Sequence, residues 1–171
     1  MRRSPVKVAC FLFVLSLSML LFGCSSAKPT ANPNLVWKVD LLKFDVKTKL
    51  ESVETVTQYI GSTEVLHQQY PDKGNVFLIM KVTVSKQGAQ NTPFEWSNLV
   101  IQDNAGNAYQ RSSNDTFLEQ FNYTPRLTGL EIKLGDNEGW MCYQIPAQAA
   151  NGKLTLSYTG EGSQQEIVVK N

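Results

Sequence analysis

The run Asn75–Ser85, NVFLIMKVTVS, decides the fold class. Val76, Leu78, Met80, Val82 and Val84 fall on one face at a period of two, while the other face turns polar at Lys81 and Thr83. Such alternation predicts a strand of an antiparallel sheet with one face on a core. The same period appears on either side of it. Trp37, Val39 and Leu41 alternate with Lys38, Asp40 and Leu42. Leu130, Ile132 and Leu134 alternate with Glu131 and Lys133, and Leu154, Leu156 and Tyr158 with Thr155 and Ser157. Shorter β-type runs occupy 52–58, 97–102, 139–145 and 165–169. Between the runs lie turn formers: Pro71-Asp72-Lys73-Gly74, Asp103-Asn104-Ala105-Gly106-Asn107, Leu134-Gly135-Asp136-Asn137 and Asn151-Gly152. Short strands separated by turns predict an all-β, antiparallel sandwich over residues 35–171, with Leu78, Val82, Leu130, Ile132 and Leu156 in its core. One or two helical turns are expected only near Ser113–Gln120.

The start of the chain follows a different logic. MRRSPVK is basic, the next 16 residues, VACFLFVLSLSMLLFG, are apolar, and Cys24 precedes a polar stretch. This is the three-part pattern of an export signal. The apolar run is short for a spanning helix, which needs roughly 20 residues. Leu21-Phe22-Gly23-Cys24 resembles the lipobox of bacterial lipoproteins: apolar, variable, small, cysteine. That resemblance implies cleavage before Cys24, diacylation of its sulfur, and attachment to the extracytoplasmic face of the cell membrane. Residues 1–23 are then a cleaved signal peptide, 24–34 the lipidated cysteine and a flexible tether, and 35–171 the folded domain. The tether residues 25–34 hold two prolines and no large apolar side chain. Fully extended, these ten residues reach at most about 35 Å.

Charge and cysteine content narrow the function classes. Of 16 basic side chains three lie in the leader, leaving 13 against 15 acidic ones, a mature net charge of −2. A slightly acidic domain gives no electrostatic footprint for nucleic acid. Of three cysteines, Cys10 is in the leader and Cys24 is the lipid site, so Cys142 stands alone and the domain is held by packing rather than disulfides.

Three segments carry a family resemblance. Lys73–Val84 has a glycine before a long apolar strand. Leu99–Tyr109 reads as strand, acidic turn, glycine and tyrosine. Leu134–Pro146, LGDNEGWMCYQIP, has glycine, acidic residues, a Gly-aromatic strand and a proline. Together they resemble a family of immunoglobulin-like domains of unknown function, found in lipoproteins and other exported proteins, mostly of Gram-positive bacteria. That family is related in fold to an immunoprotective mycobacterial antigen. The resemblance implies an immunoglobulin-like sandwich and carries no catalytic residue over; Ser85-Lys86-Gln87-Gly88 stands where the family often has asparagine.

No catalytic set emerges. His67 is the sole histidine and has no serine or cysteine motif beside it. One histidine and one domain cysteine do not make a zinc site. Asp103–Asn107 lacks the alternating acids and distal glutamate of a calcium loop and reads as a hairpin turn. Asp136 and Glu138 read as solvated acids flanking a turn. Cys142 shares a face with Trp140 and reads as a small core thiol. Neither a cofactor nor a metal is implied. The leading expectation is a non-enzymatic, membrane-tethered binding module for a protein or cell-envelope partner. An enzyme or enzyme accessory with an unfamiliar site, and a structural envelope protein, stay open. Partner contacts are expected on Thr116–Leu127, TFLEQFNYTPRL, through Phe117, Phe121, Tyr123 and Arg126. Phe117 and Phe121 would share one face of a helical turn, or cap an open end of the sandwich.

Overall fold

Residues 36–87, 92–128, 135–160 and 163–171 are described in a computed structural model. The expected leader, Cys24, the tether, and the strand at Leu130–Leu134 with its core residues Leu130 and Ile132 lie outside these residues. Among the described residues no helix is long and apolar enough to cross a membrane. They form nine strands: β1 Trp37–Lys47, β2 Leu50–Gln58, β3 Gly61–Gln69, β4 Asn75–Lys86, β5 Leu99–Asp103, β6 Ala108–Gln110, β7 Gly135–Pro146, β8 Leu154–Gly160 and β9 Ser163–Lys170.

Every strand pairing is antiparallel. One sheet has the order β1-β4-β7, a second has β6-β5-β8-β9, and β2-β3 is a separate two-stranded ribbon. β4 therefore sits at the centre of the first sheet, as its continuous apolar run requires. Its inner side chains Val76, Leu78, Met80, Val82 and Val84 pack with Leu99, Ile101, Leu154, Leu156 and Tyr158 of the second sheet. The fold is an immunoglobulin-like antiparallel sandwich, and Leu78, Val82 and Leu156 are in its core.

Beyond the core, side chains tie the layers together. Tyr143, fully buried on β7, donates its hydroxyl to the carbonyl of Leu99 at 3.0 Å. At the β1–β9 seam, the Ser163 hydroxyl accepts from the backbone N–H groups of Val36 and Trp37, and Gln165 bonds both Val39 N–H and Trp37 C=O. A bulge at Leu41–Lys43 adds one residue to β1, so Phe44 and Val46 stay opposite Met80 and Leu78 on the inner face.

Three features depart from the reading of the sequence. First, β4 is buried on both faces at its start: Phe77 and Ile79 join Leu50, Cys142, Leu118 and Phe121 in a second apolar cluster on the outer side of the first sheet. Second, β3 had no strand signal, because GSTEVLHQQ exposes most of both faces and needs no alternation. Third, Asp136 and Glu138 do not flank a turn. They lie within β7, opposite Ser85 and Thr83. Asp136 accepts the Ser85 hydroxyl and Glu138 pairs with Lys81. The long partner strand β4 extends the ladder through a stretch whose Gly-Asp-Asn composition alone suggests a turn.

Candidate functional site

The outer edge of β7 is covered by residues 111–127, which follow β6. After β6, Arg111 forms an antiparallel bridge to Tyr143, and Ser112 N–H donates to Cys142 C=O at 2.8 Å. A 3₁₀ turn at Thr116–Phe121 follows, ending at Asn122 in the left-handed conformation (φ 67°). The chain then returns to the same edge. Arg126 bridges Trp140 in parallel, with Trp140 N–H donating to Pro125 C=O at 2.9 Å and Leu127 N–H to Trp140 C=O at 2.8 Å. Gly139 permits this approach: a Cβ there would lie 2.6 Å from the backbone nitrogen of Leu127.

Two arginines thus leave one strand edge at positions three residues apart, and one carboxylate receives both. Asp115, with its side chain 3% exposed, accepts from Arg111 Nε at 2.9 Å and pairs with Arg111 Nη2 at 2.7 Å. Its other oxygen accepts from Arg126 Nη1 at 3.0 Å. Arg111 also donates to Leu127 C=O, and its guanidinium lies 4.3 Å over the Trp96 ring. Arg126 Nε is buried without a hydrogen-bond acceptor; the Glu119 carboxylate stands 3.6 Å away. These groups border a cavity of about 310 Å³ walled by Trp96, Arg111, Ser112, Ser113, Asp115 and Arg126.

The segment expected to meet a partner is largely engaged with its own domain. Phe121 is buried and Phe117 partly so, its ring 5.4 Å from that of Phe77. The buried pair of the turn is Leu118 and Phe121, three apart, because side chains of a 3₁₀ helix eclipse at that spacing. Tyr123 packs edge-on to Trp140 at 4.9 Å and donates to Asp45 at 3.2 Å. Burial, with the Asp45 carboxylate second, pushes its phenol up to about 12. Arg126 is the member of the set that reaches the cavity.

The remaining sequence candidates are structural in setting. Cys142 is fully buried, and burial pushes its thiol up to about 12. His67 Nε2 is 2.9 Å from Glu54 across the β2–β3 ribbon. Asp103 closes the β5–β6 hairpin by accepting from Ala105 N–H, Asn107 N–H, the Asn107 amide and the Tyr109 hydroxyl. Those bonds hold its carboxyl at about 2, the Asn107 side chain contributing most.

The β2–β3 ribbon is the other prominent feature. Its register runs from Leu50↔Gln69 to Gln58↔Gly61, so Tyr59 and Ile60 alone form the turn. Gly61 follows at φ 143°. Two-residue turns favour Asn, Asp and Gly. Here the tip carries two large apolar side chains with relative exposures of 106% and 98%. Below the tip, Val53 and Leu66 form an exposed cross-strand pair.

A family model described as a domain of unknown function, DUF4352, matches residues 43–167. The chain belongs to this family. The DUF4352 match spans the ribbon, β4 through β8 and most of β9. No curated protein matches the chain. An uncharacterized β-sandwich protein from Clostridium difficile is similar at 15% identity and a TM-score of 0.40, covering 78% of this chain and 85% of its own. A conserved hypothetical protein from Bacillus anthracis is similar at 18% identity and a TM-score of 0.40, covering 78% of this chain and 98% of its own.

Sequence reasoning missed several residues of this DUF4352 domain that matter most at its surface. Arg111 and Asp115 carry no motif, and only the shared edge of β7 brings them to Arg126. Tyr59-Ile60-Gly61 offered one available signal: an apolar pair directly before a glycine, between two polar strands.

Proposed function

We propose that this chain is a membrane-anchored extracytoplasmic lipoprotein whose sandwich presents a non-catalytic interaction arm, the β2–β3 ribbon, to a protein partner. The lipobox-like Leu21-Phe22-Gly23-Cys24 and the resemblance to exported lipoprotein domains of Gram-positive bacteria support the anchor. The interaction role rests on one observation: Tyr59 and Ile60 stand fully exposed at a tip where turn geometry calls for neither. An apolar tip is unfavourable in water and suits an apolar pocket on a partner, with tyrosine a frequent anchor at such contacts.

The unpaired edges of this arm suit a protein partner. β1 starts at Trp37, where the chain enters the domain, and runs 11 residues to Lys47 before the ribbon begins at Leu50. The ribbon therefore springs from the end of β1 opposite to Trp37. Among the described residues β2 and β3 pair only with each other, so their outer edges offer backbone groups for an added strand. Phe117, Phe121, Tyr123 and Arg126 take second place as contacts, since Phe121 is covered and Tyr123 is bonded to Asp45. A photo-crosslinking side chain at position 60 of the intact protein, in its own cells, tests the reading. A discrete protein adduct is expected there, and its absence overturns the assignment.

A further inference from the structure

We infer that the ribbon's partner is a second copy of this chain, and that each ribbon covers the open edge of β1 on the other copy. The inference rests on the ribbon being an interaction arm. Its first support is where the exposed apolar side chains lie. Among the described residues every large one except Val168 falls within residues 42–70, on the second half of β1 and on the ribbon and its base. Ser163 and Gln165 of β9 hold the first half of β1, as far as Val39. The second half, residues 42–47, has β4 on one side and, among the described residues, no strand on the other. Phe44 and Val46 stand opposite the fully buried Met80 and Leu78, yet both are exposed. With the exposed Leu42 they make an apolar strip along an unpaired sheet edge, a surface that monomeric proteins seldom show to water.

The second support is charge. Residues paired across an antiparallel ladder share a face, so the Val53–Leu66 pair lies on the ribbon face that also carries Glu51 and Glu64. Glu51 is paired with Lys49, whereas Glu64 is exposed and has no salt bridge among the described residues. On β1, Lys43 and Lys47 alternate with Phe44 and Val46 at the open edge; both lysines are exposed, and neither has a salt bridge among the described residues. An apolar pair bordered by carboxylates thus matches an apolar strip bordered by lysines. The two surfaces do not cover each other within one chain, since the side chains of both are exposed. The nine paired positions of the ribbon span roughly 30 Å, which exceeds the length of the strip, about 20 Å. Because the ribbon begins at Leu50, directly after the strip, a two-fold axis beside this end of β1 lets two copies exchange ribbons. The same contact is then made twice, as in a closed isologous dimer, and no half of it is left over for a third copy.

The test uses two full-length copies with different epitope tags, expressed together in the native cells. The first copy carries a photo-crosslinking side chain at position 60. The adduct should hold both tags at twice the mass of one chain, and the crosslinked peptide of the second copy should come from β1. Lys43→Glu with Lys47→Glu in the second copy should lower the two-tag adduct about tenfold, because like charges then face each other across the contact. Adding Glu64→Lys to the first copy should restore most of it. Restoration by a change on the other copy also rules out misfolding as the cause of the loss. An adduct with a different protein would overturn the dimer and leave the ribbon as an interaction arm, whereas no adduct at all would overturn both. A two-tag adduct outside β1, one that the lysine changes leave intact, or one that Glu64→Lys fails to restore would overturn the dimer.

Discussion

The hydroxyl of Tyr143 on β7 and the carbonyl of Leu99 on β5 meet at 3.0 Å in the dry interior, joining the two sheets through their shared core. Tyr143→Phe removes the donor and leaves the rest of the packing intact. It should cost about 1–3 kcal/mol, the penalty for a buried polar group deprived of its partner. Leu78→Ala, at the centre of β4, should cost about 2–5 kcal/mol through the cavity it opens. Urea unfolding curves with unchanged slopes check both. A Tyr143→Phe variant as stable as the parent would show that the bond does not hold the sheets together.

Cys142 is expected to be inert while the domain is folded. Burial raises its thiol from an ordinary 9.0 to about 12, so little thiolate exists near neutral pH. Iodoacetamide at pH 8 should label the chain carrying Cys10→Ala and Cys24→Ala only after denaturant unfolds it. The raised value also fixes a sign. The stabilising contribution is complete below about 9 and is lost as pH rises through about 12. Rapid labelling of the native protein would contradict a buried Cys142.

Asp103 gives the opposite pH dependence. Its carboxyl, ordinarily at 3.8, is held at about 2 by hydrogen bonds led by the Asn107 side chain. The contribution to the β5–β6 turn is therefore complete above 3.8 and is lost as pH falls through about 2. Amide signals of Ala105 and Asn107, followed down in pH, should show a midpoint near 2. A midpoint at the ordinary carboxylate value would mean that the turn bonds do not form in solution.

How much of this was legible in the sequence depends on whether a residue's partner was local. Val76, Leu78, Met80, Val82 and Val84 announce their inner face through simple alternation, and Asp103–Asn107 announces its turn through composition. β3 was silent because a ribbon exposed on both sides has no period to read. The Thr116–Phe121 turn is expected near Ser113–Gln120, but its buried pair is not, since α-helical spacing couples Phe117 with Phe121 and 3₁₀ spacing couples Leu118 with Phe121. The convergence of Arg111 and Arg126 on Asp115 depends on two separate bridges to β7, at Tyr143 and Trp140. No local pattern encodes that pairing.

The proposed anchor makes a prediction of its own. A labelled fatty acid fed to cells should enter the protein at Cys24, and Cys24→Ala should abolish the label. Diacylation matters to the outcome, because one chain binds a bilayer only marginally and two hold it firmly. Full labelling of the Cys24→Ala variant would remove the lipobox reading of Leu21-Phe22-Gly23-Cys24.

The central claim is that the ribbon tip is a protein-binding arm, and site-specific photo-crosslinking in the native cells tests it most directly. A crosslinker at Ile60 should give one discrete adduct, whereas one at Gln110, on the short β6 strand, should give none. Tyr59→Ser, which leaves the core untouched, should abolish the Ile60 adduct without shifting the melting temperature. No adduct at Ile60, or an adduct equally strong at Gln110 and insensitive to Tyr59→Ser, would contradict the account.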